Sequence, residues 1–333
     1  MINKKTILIT GGAGFIGYHL IEKLIFTQLY NIVIVDNLNN YYDVQLKKDR
    51  LKTLRKIIYY LDNSGDKYFH FIKADILNKN KLEEIFKEYK FDYVVTLSAE
   101  AGVRYSSEHP EKFISTNIVG FWNILECCKK YKPLNLVYAS SSSVYGNISE
   151  KPSEETDNTD FPVSLYGASK KSNEILAHAY YKFFDIPMTG LRFNTCFGSM
   201  GRPDMFFGLL GDALLNNKTI KVFNYGNMRR DFINVEDLCD GIYSAMINPH
   251  PYEIYNLGTG KVIELKYLIE LFEKEFGKKV KKKYLSAPKG DVLLSYANID
   301  KAKKELHYNP RISIEEGVKK YCDWYKMYYG KKG

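Results

Sequence analysis

Short apolar runs alternate with helical periodicity along the first 190 residues. Strands are expected at 6–10, 31–35, 69–74, 93–97, 134–139 and 188–193, each a run of Val, Ile, Leu or aromatic residues closed by a polar or small one. Between them, 18–24, 113–131 and 165–184 repeat apolar residues at helical spacing. Repeated strand–helix units predict an α/β fold with a doubly wound parallel sheet and ligands at the strands' C-terminal ends. After about 195 the pattern loosens. Loop 198–204, helix 206–216, strand 221–223 and helices near 236–247, 264–276 and 314–328 predict a smaller mixed α/β lobe. We expect residues 1–190 to hold a cofactor, and 191–333 mostly to hold substrate, with some segments returning to the sheet.

The first unit is the most specific. Strand 6–10 runs straight into Gly11-Gly12-Ala13-Gly14-Phe15-Ile16-Gly17, a helix follows, and the next strand ends in Asp36. Gly12-x-Gly14-x-x-Gly17 gives a tight turn, room for a pyrophosphate and close helix–strand packing. The helix N-terminus then meets the phosphates, and an acid 19 residues after Gly17 can hold a ribose diol. This predicts a Rossmann-like dinucleotide site built on Gly11, Gly14, Phe15, Ile16, Gly17, Asp36, Asn37 and Asn39. Further on, Asp75 and Ile76 would meet the adenine, while Leu97, Ser98 and Ala99 lie close to the cofactor. A carboxylate at 36 repels a 2′-phosphate, so NAD is expected.

Composition narrows the class. The 333 residues are 45% hydrophobic and 26% charged, ordinary for a folded enzyme, and no apolar run reaches the length of a membrane span. Met1–Lys5 leads directly into the first strand without a signal-peptide core, so the expected compartment is the cytoplasm. The five cysteines have no metal-ligand spacing, and no metal is expected. The net charge of +9 comes from scattered lysines without a recognition helix or RNA-binding motif, which reads as a solvated basic surface rather than a nucleic-acid site.

The centre of the chain is a strand running into Ser140-Ser141-Ser142-Ser143-Val144-Tyr145-Gly146, followed by Tyr166-Gly167-Ala168-Ser169-Lys170. At i and i+4, Tyr166 and Lys170 share a helical face, so the ammonium could favour the phenolate and make a base near neutral pH. The serines offer hydroxyls to relay a proton or fix a substrate hydroxyl. Ser140 is read as a turn residue satisfying local backbone.

Together with the glycine turn, these stretches resemble the extended short-chain dehydrogenases/reductases. The resemblance narrows to nucleotide-sugar 4-epimerases of the UDP-glucuronate 4-epimerase group through residues 36–44, 101–106, 139–146 and 201–205. It implies NAD bound through the whole cycle and a UDP-sugar substrate. Tyr166 would take the 4-hydroxyl proton as hydride leaves C4, and the 4-keto sugar would rotate before the hydride returns. Lys170 would lower the phenol's pKa and hold the nicotinamide ribose, Ser141 would relay the proton, and Ser142 and Ser143 would line the sugar. Asn117 and Phe193 would complete the cofactor site. Arg104, Thr195 and Arg202 would approach the sugar, Arg230 the diphosphate and Asp291 the uridine ribose. Related dehydratases place acids in the serine turn, and only hydroxyls stand here. The resemblance also implies polysaccharide biosynthesis and a homodimer built on helices 113–131 and 165–184.

The departures from that group are Thr96 and Glu100 for His and Gln, Asn194 for Phe, Ser199-Met200, and Pro288 beside Lys289. Asn194 is expected to touch the nicotinamide pocket. Glu100 would add an anion near the cofactor and keeps neutral UDP-glucose or UDP-N-acetylglucosamine as alternative substrates. A nucleotide-sugar dehydratase and a non-catalytic NAD sensor are the remaining readings.

Overall fold

The structure, a computed structural model, describes residues 4–62, 65–147, 151–286 and 292–330. Six strands come from the first part of the chain: β1 (Lys5–Thr10), β2 (Tyr30–Asp36), β3 (Phe69–Lys73), β4 (Tyr93–Thr96), β5 (Asn135–Ser141) and β6 (Met188–Phe193). They pair in parallel in the order 3-2-1-4-5-6, and strand Tyr252–Leu257 adds a seventh beside β6. This is the Rossmann-like doubly wound sheet.

Alternation along each strand feeds two cores. Ile7, Ile9, Ile32, Ile34, Val95 and Val137 face one side, where helix α1 (Phe15–Thr27) packs through Leu20, Ile21 and Leu24. Leu8, Val33, Val35, Val94 and Leu136 face the other, against Ile124, Leu125 and Cys128 of helix Phe121–Tyr131. With helices on both faces the strands can be apolar throughout, which is why they read as unbroken runs.

Three local differences from the sequence reading have physical causes. Helix α2 (Val44–Asp62) lies where no element was expected, because its buried stripe of Leu46, Leu51 and Leu54 is interrupted by Lys47 and Arg50. Helix α3 (Lys79–Tyr89) was also unassigned; the Asn78 side chain caps it by accepting from Lys81 N. The expected helix 113–131 opens into π-helical geometry over Phe113–Gly120 before becoming α-helical. That wide turn carries Asn117 inward to the end of β4.

A third core, containing Phe197, Phe207, Phe272, Tyr321 and Trp324, is built from C-terminal helices and short strands. Helix Val235–Ile247, capped by Asn234, instead packs on the sheet beside α1. Among the described residues no helix is long and apolar enough to cross a membrane, and no group of three or more His, Cys, Asp or Glu could hold a metal ion.

Candidate active site

A cleft runs across the C-terminal ends of β1 to β6. At one end the glycine turn is packed so closely that a Cβ on Gly11 would lie 2.7 Å from Ser98 N, and Gly11 has φ +72°, so only glycine fits. Gly14 and Gly17 line the same wall with Phe15 and Ile16. No side chain caps α1, which leaves its first-turn amides to a bound anion. The residues present therefore fit a dinucleotide.

Asp36 closes the end of β2. Its carboxylate accepts from Ala13 N (3.1 Å) and Leu38 N (2.8 Å), so it fixes the glycine turn while facing the cleft. Asn37 donates to Asp75 at 2.8 Å and receives Asn39 N at 2.9 Å. Asn37, Asn39, Asp75, Ile76, Leu97, Ser98 and Ala99 all line the cleft, as expected.

At the other end lies helix Leu165–Phe184, capped by Ser164, whose hydroxyl accepts from Gly167 N. Tyr166, Lys170 and Phe193 line the cleft there. Tyr166 itself is half-buried at this end of the cleft. Burial pushes its pKa up, while Ser141 and the Arg202 charge pull it down. Lys170 reaches past the helix to the end of β5. Its ammonium donates to the Ala139 carbonyl at 2.9 Å, and burial alone pushes its pKa down to about 8. The Arg202 charge is one cation that favours the phenolate.

The other expected site residues divide. Arg202 lines the cleft, donating to both oxygens of Asp204 (3.0 and 2.6 Å) and to Ala101 O. Ser141 is buried and its hydroxyl also accepts from Ser143 N at 3.1 Å. Ser142 meets Ser295 at 3.5 Å, and Thr195 is half-buried in the short strand paired with Phe232–Asn234. Arg104 is exposed, with its guanidinium 4.1 Å over the Phe223 ring. Arg230 donates to the carbonyls of Arg229 and Val292. Asp291, Pro288 and Lys289 lie outside the described residues. Asn117 is buried beneath the cleft: its side chain accepts from Glu100 N (2.8 Å) and donates to Glu100 O (3.0 Å) and Ser169 (2.9 Å).

One expectation about the departures is corrected. Asn194 is not in the cofactor cleft. It lies on the other side of the strand from Phe193, against Gly258 and Asp231, and its amide nitrogen has no partner among the described residues. Thr96 pairs with Thr10 at 2.8 Å inside the sheet. Glu100 does line the cleft, where it accepts from Asn39 at 3.2 Å. Burial pushes its pKa up, against the pull of Lys112, Arg202 and Lys47 and with a push from Asp75. Ser140 donates to Glu174 at 2.6 Å, and Glu174 forms a buried fork with Arg192, so both are framework residues, although Ser140 also touches the cleft wall.

Sequence reasoning missed Lys47, Tyr41, Tyr42 and Thr116, all of which line the cleft. Lys47 is buried, donates to Asn39 at 2.7 Å and stands 4.0 Å from Asp36. A cation inside an otherwise apolar helix stripe was the available signal.

A glycine-cradled dinucleotide cleft ending on a Ser–Tyr–Lys centre defines a nicotinamide-dependent site of the short-chain type. The NAD dependent epimerase/dehydratase family profile matches residues 7–258, and the chain belongs to that family. It is 42% identical to Protein CapI of Staphylococcus aureus over 98% of this chain and 99% of that protein. It is 40% identical to the UDP-glucuronate 4-epimerase of Thermodesulfobacterium geofontis over 96% of this chain and 95% of the relative. Among solved structures, UDP-glucuronic acid 4-epimerase from Bacillus cereus, in complex with UDP-glucuronic acid and NAD, superposes with a TM-score of 0.89. That match has 33% identity and covers 97% of this chain and 100% of the other.

Proposed function

We propose that this protein is an NAD-dependent isomerase that interconverts UDP-glucuronate and UDP-galacturonate at C4. The observation that carries the reading is Tyr166, which lines the cleft together with Lys170 beside a turn that holds only hydroxyls. The similarity to UDP-glucuronate 4-epimerases over nearly the whole chain supports the acidic sugar.

NAD, when bound, supplies the hydride acceptor and donor. Tyr166 takes the proton from the sugar's 4-hydroxyl as C4 is oxidised and returns it after the 4-keto sugar has turned its other face. Ser141 donates a hydrogen bond that favours the phenolate, and Arg202 adds a positive charge. Lys170 faces the nicotinamide ribose. Ser142, Ser143 and Thr195 line the sugar, and Arg202 holds its carboxylate. Arg104, Arg230 and Asp291 serve the sugar, diphosphate and uridine ends, with Arg104 leaving Phe223 to do so. Asn117 serves the cofactor indirectly, by fixing the backbone of Glu100. An elimination would need a second acid, which residues 140–143 do not supply.

The reading extends to the assembly. Ile114 and Trp122 on one helix and Ile175 and Phe183 on another are 45%, 38%, 58% and 80% exposed, and they fit a homodimer packed through these helices. Five free thiols and a nucleotide-sugar substrate fit a cytoplasmic enzyme.

Proton NMR of the anomeric region, with purified protein and no added cofactor, tests the function on UDP-glucuronate, UDP-glucose and UDP-N-acetylglucosamine. We expect UDP-galacturonate from the first, abolished by Tyr166→Phe. Conversion of a neutral sugar alone would keep the epimerase and overturn the assignment of Arg202 to a carboxylate.

A further inference from the structure

Arg50 has no accessible surface, and its charge does not enter the chemistry above. Its guanidinium spans two segments that meet nowhere in the sequence. Nη1 donates to Ala13 O at 2.9 Å, inside the glycine turn, and to the Tyr42 hydroxyl at 2.7 Å. Nε and Nη2 both donate to Met200 O, at 3.1 and 2.6 Å. Among the described residues no carboxylate lies within ion-pair distance of it. A buried cation satisfied by two carbonyls and a phenol hydroxyl is a costly way to hold two loops together, and a packed aliphatic side chain would do so more cheaply.

The two loops explain the cost. Ala13 is fixed from its other side, because its N–H donates to Asp36. Met200 has φ +55°, a left-handed conformation unfavourable for a side chain, and it stands two residues before Arg202. His19 of α1 clamps the neighbouring carbonyl, with Nε2 2.7 Å from Ser199 O. The turn carrying Arg202 is thus tied to the cofactor half by two buried side chains, one of which also holds the glycine turn.

We propose that Arg50 is a positioning residue: it sets the place of Arg202 in the cleft against the glycine turn, so that the substrate arginine and the cofactor keep a fixed separation. The inference rests on the reading of Arg202 as a substrate residue. The planar fork reaches Ala13 O and Met200 O through separate nitrogens, whereas an ammonium would have to serve both from a single atom. His19 acts on the same turn, so the two residues share one effect.

The test uses the holoenzyme. Arg50→Lys should raise KM for the UDP-sugar about tenfold while kcat changes less, with folding checked by circular dichroism. Hydrogen exchange of the peptide spanning 198–205 should speed up in Arg50→Lys. The KM effects of Arg50→Lys and His19→Leu should combine less than additively. Leu54→Ala, one turn further along α2 and equally buried, should lower the melting temperature without moving KM. The proposal is overturned if Arg50→Lys moves only the melting temperature, or moves KM no more than Leu54→Ala does. If the wild-type protein neither binds nor converts UDP-glucuronate, the functional reading falls, and exchange in 198–205 still decides the positioning role.

Discussion

The Lys170 ammonium donates to the carbonyl of Ala139 at 2.9 Å, one helical turn from the phenol it was expected to activate. Ser141 and Arg202 ease the ionisation of Tyr166. A hydrogen bond to a charged group contributes about 1.5–3 kcal/mol, or roughly one to two pKa units. Ser141→Ala should therefore move the acidic limb of the kcat/KM profile upward by about one unit or more. An unmoved limb would count against Ser141 as the group that stabilises the phenolate.

Lys170→Met should purify with less bound NAD, since it removes the cation that lines the cleft beside Phe193 and Tyr166. The check is the NAD content released by acid from equal amounts of protein. Retention equal to that of the wild type would place the ribose contact elsewhere.

Glu100 carries a raised pKa because burial disfavours its charge. An acid whose folded value lies above its unfolded one destabilises the fold once ionised. Stability falls as pH rises from the ordinary glutamate value of 4.5 through the folded value. Glu100→Gln keeps the shape and the bond to Asn39 and removes the charge. We expect it to melt higher than wild type at pH 8, with no gain at pH 4, in paired thermal scans. A gain of equal size at both values would mean that charge is not the cause.

Glu174 accepts two hydrogen bonds from Arg192, both at 2.8 Å, deep beneath the serine turn. Glu174→Leu strands a buried guanidinium and deprives Ser140 of its partner, at a cost of about 3–5 kcal/mol. Urea denaturation measures it, and a loss below about 1 kcal/mol would show that the pair relaxes.

Ile175→Lys with Phe183→Lys should turn a dimer into a monomer in light scattering, with the far-ultraviolet spectrum preserved. A wild type that is already monomeric would remove the dimer from the reading.

The strand–glycine turn–helix–strand unit ending at Asp36 was fully legible, because its signals lie within about thirty residues and each acts locally. Tyr166, Lys170 and the serine turn were legible as a group for the same reason. The polar helix α2 was not. Its apolar stripe is short, and Lys47 and Arg50 break it, since their partners are Asn39 and the carbonyls of Ala13 and Met200. Nor could the sequence rank the two arginines: Arg202 faces the cleft, while Arg104 lies over Phe223, a residue more than a hundred positions away.

The sequence alone therefore determined the first six strands of the sheet, the glycine-turn cradle and the Tyr166–Lys170 pair lining the cleft, whose geometry follows from strand and helix periods. Tertiary structure alone decided what the Lys170 ammonium meets, which face Asn194 takes and what Arg50 holds. These depend on distances between segments far apart in the chain. Side-chain period fixes the direction in which a residue points, and only packing fixes what it meets there.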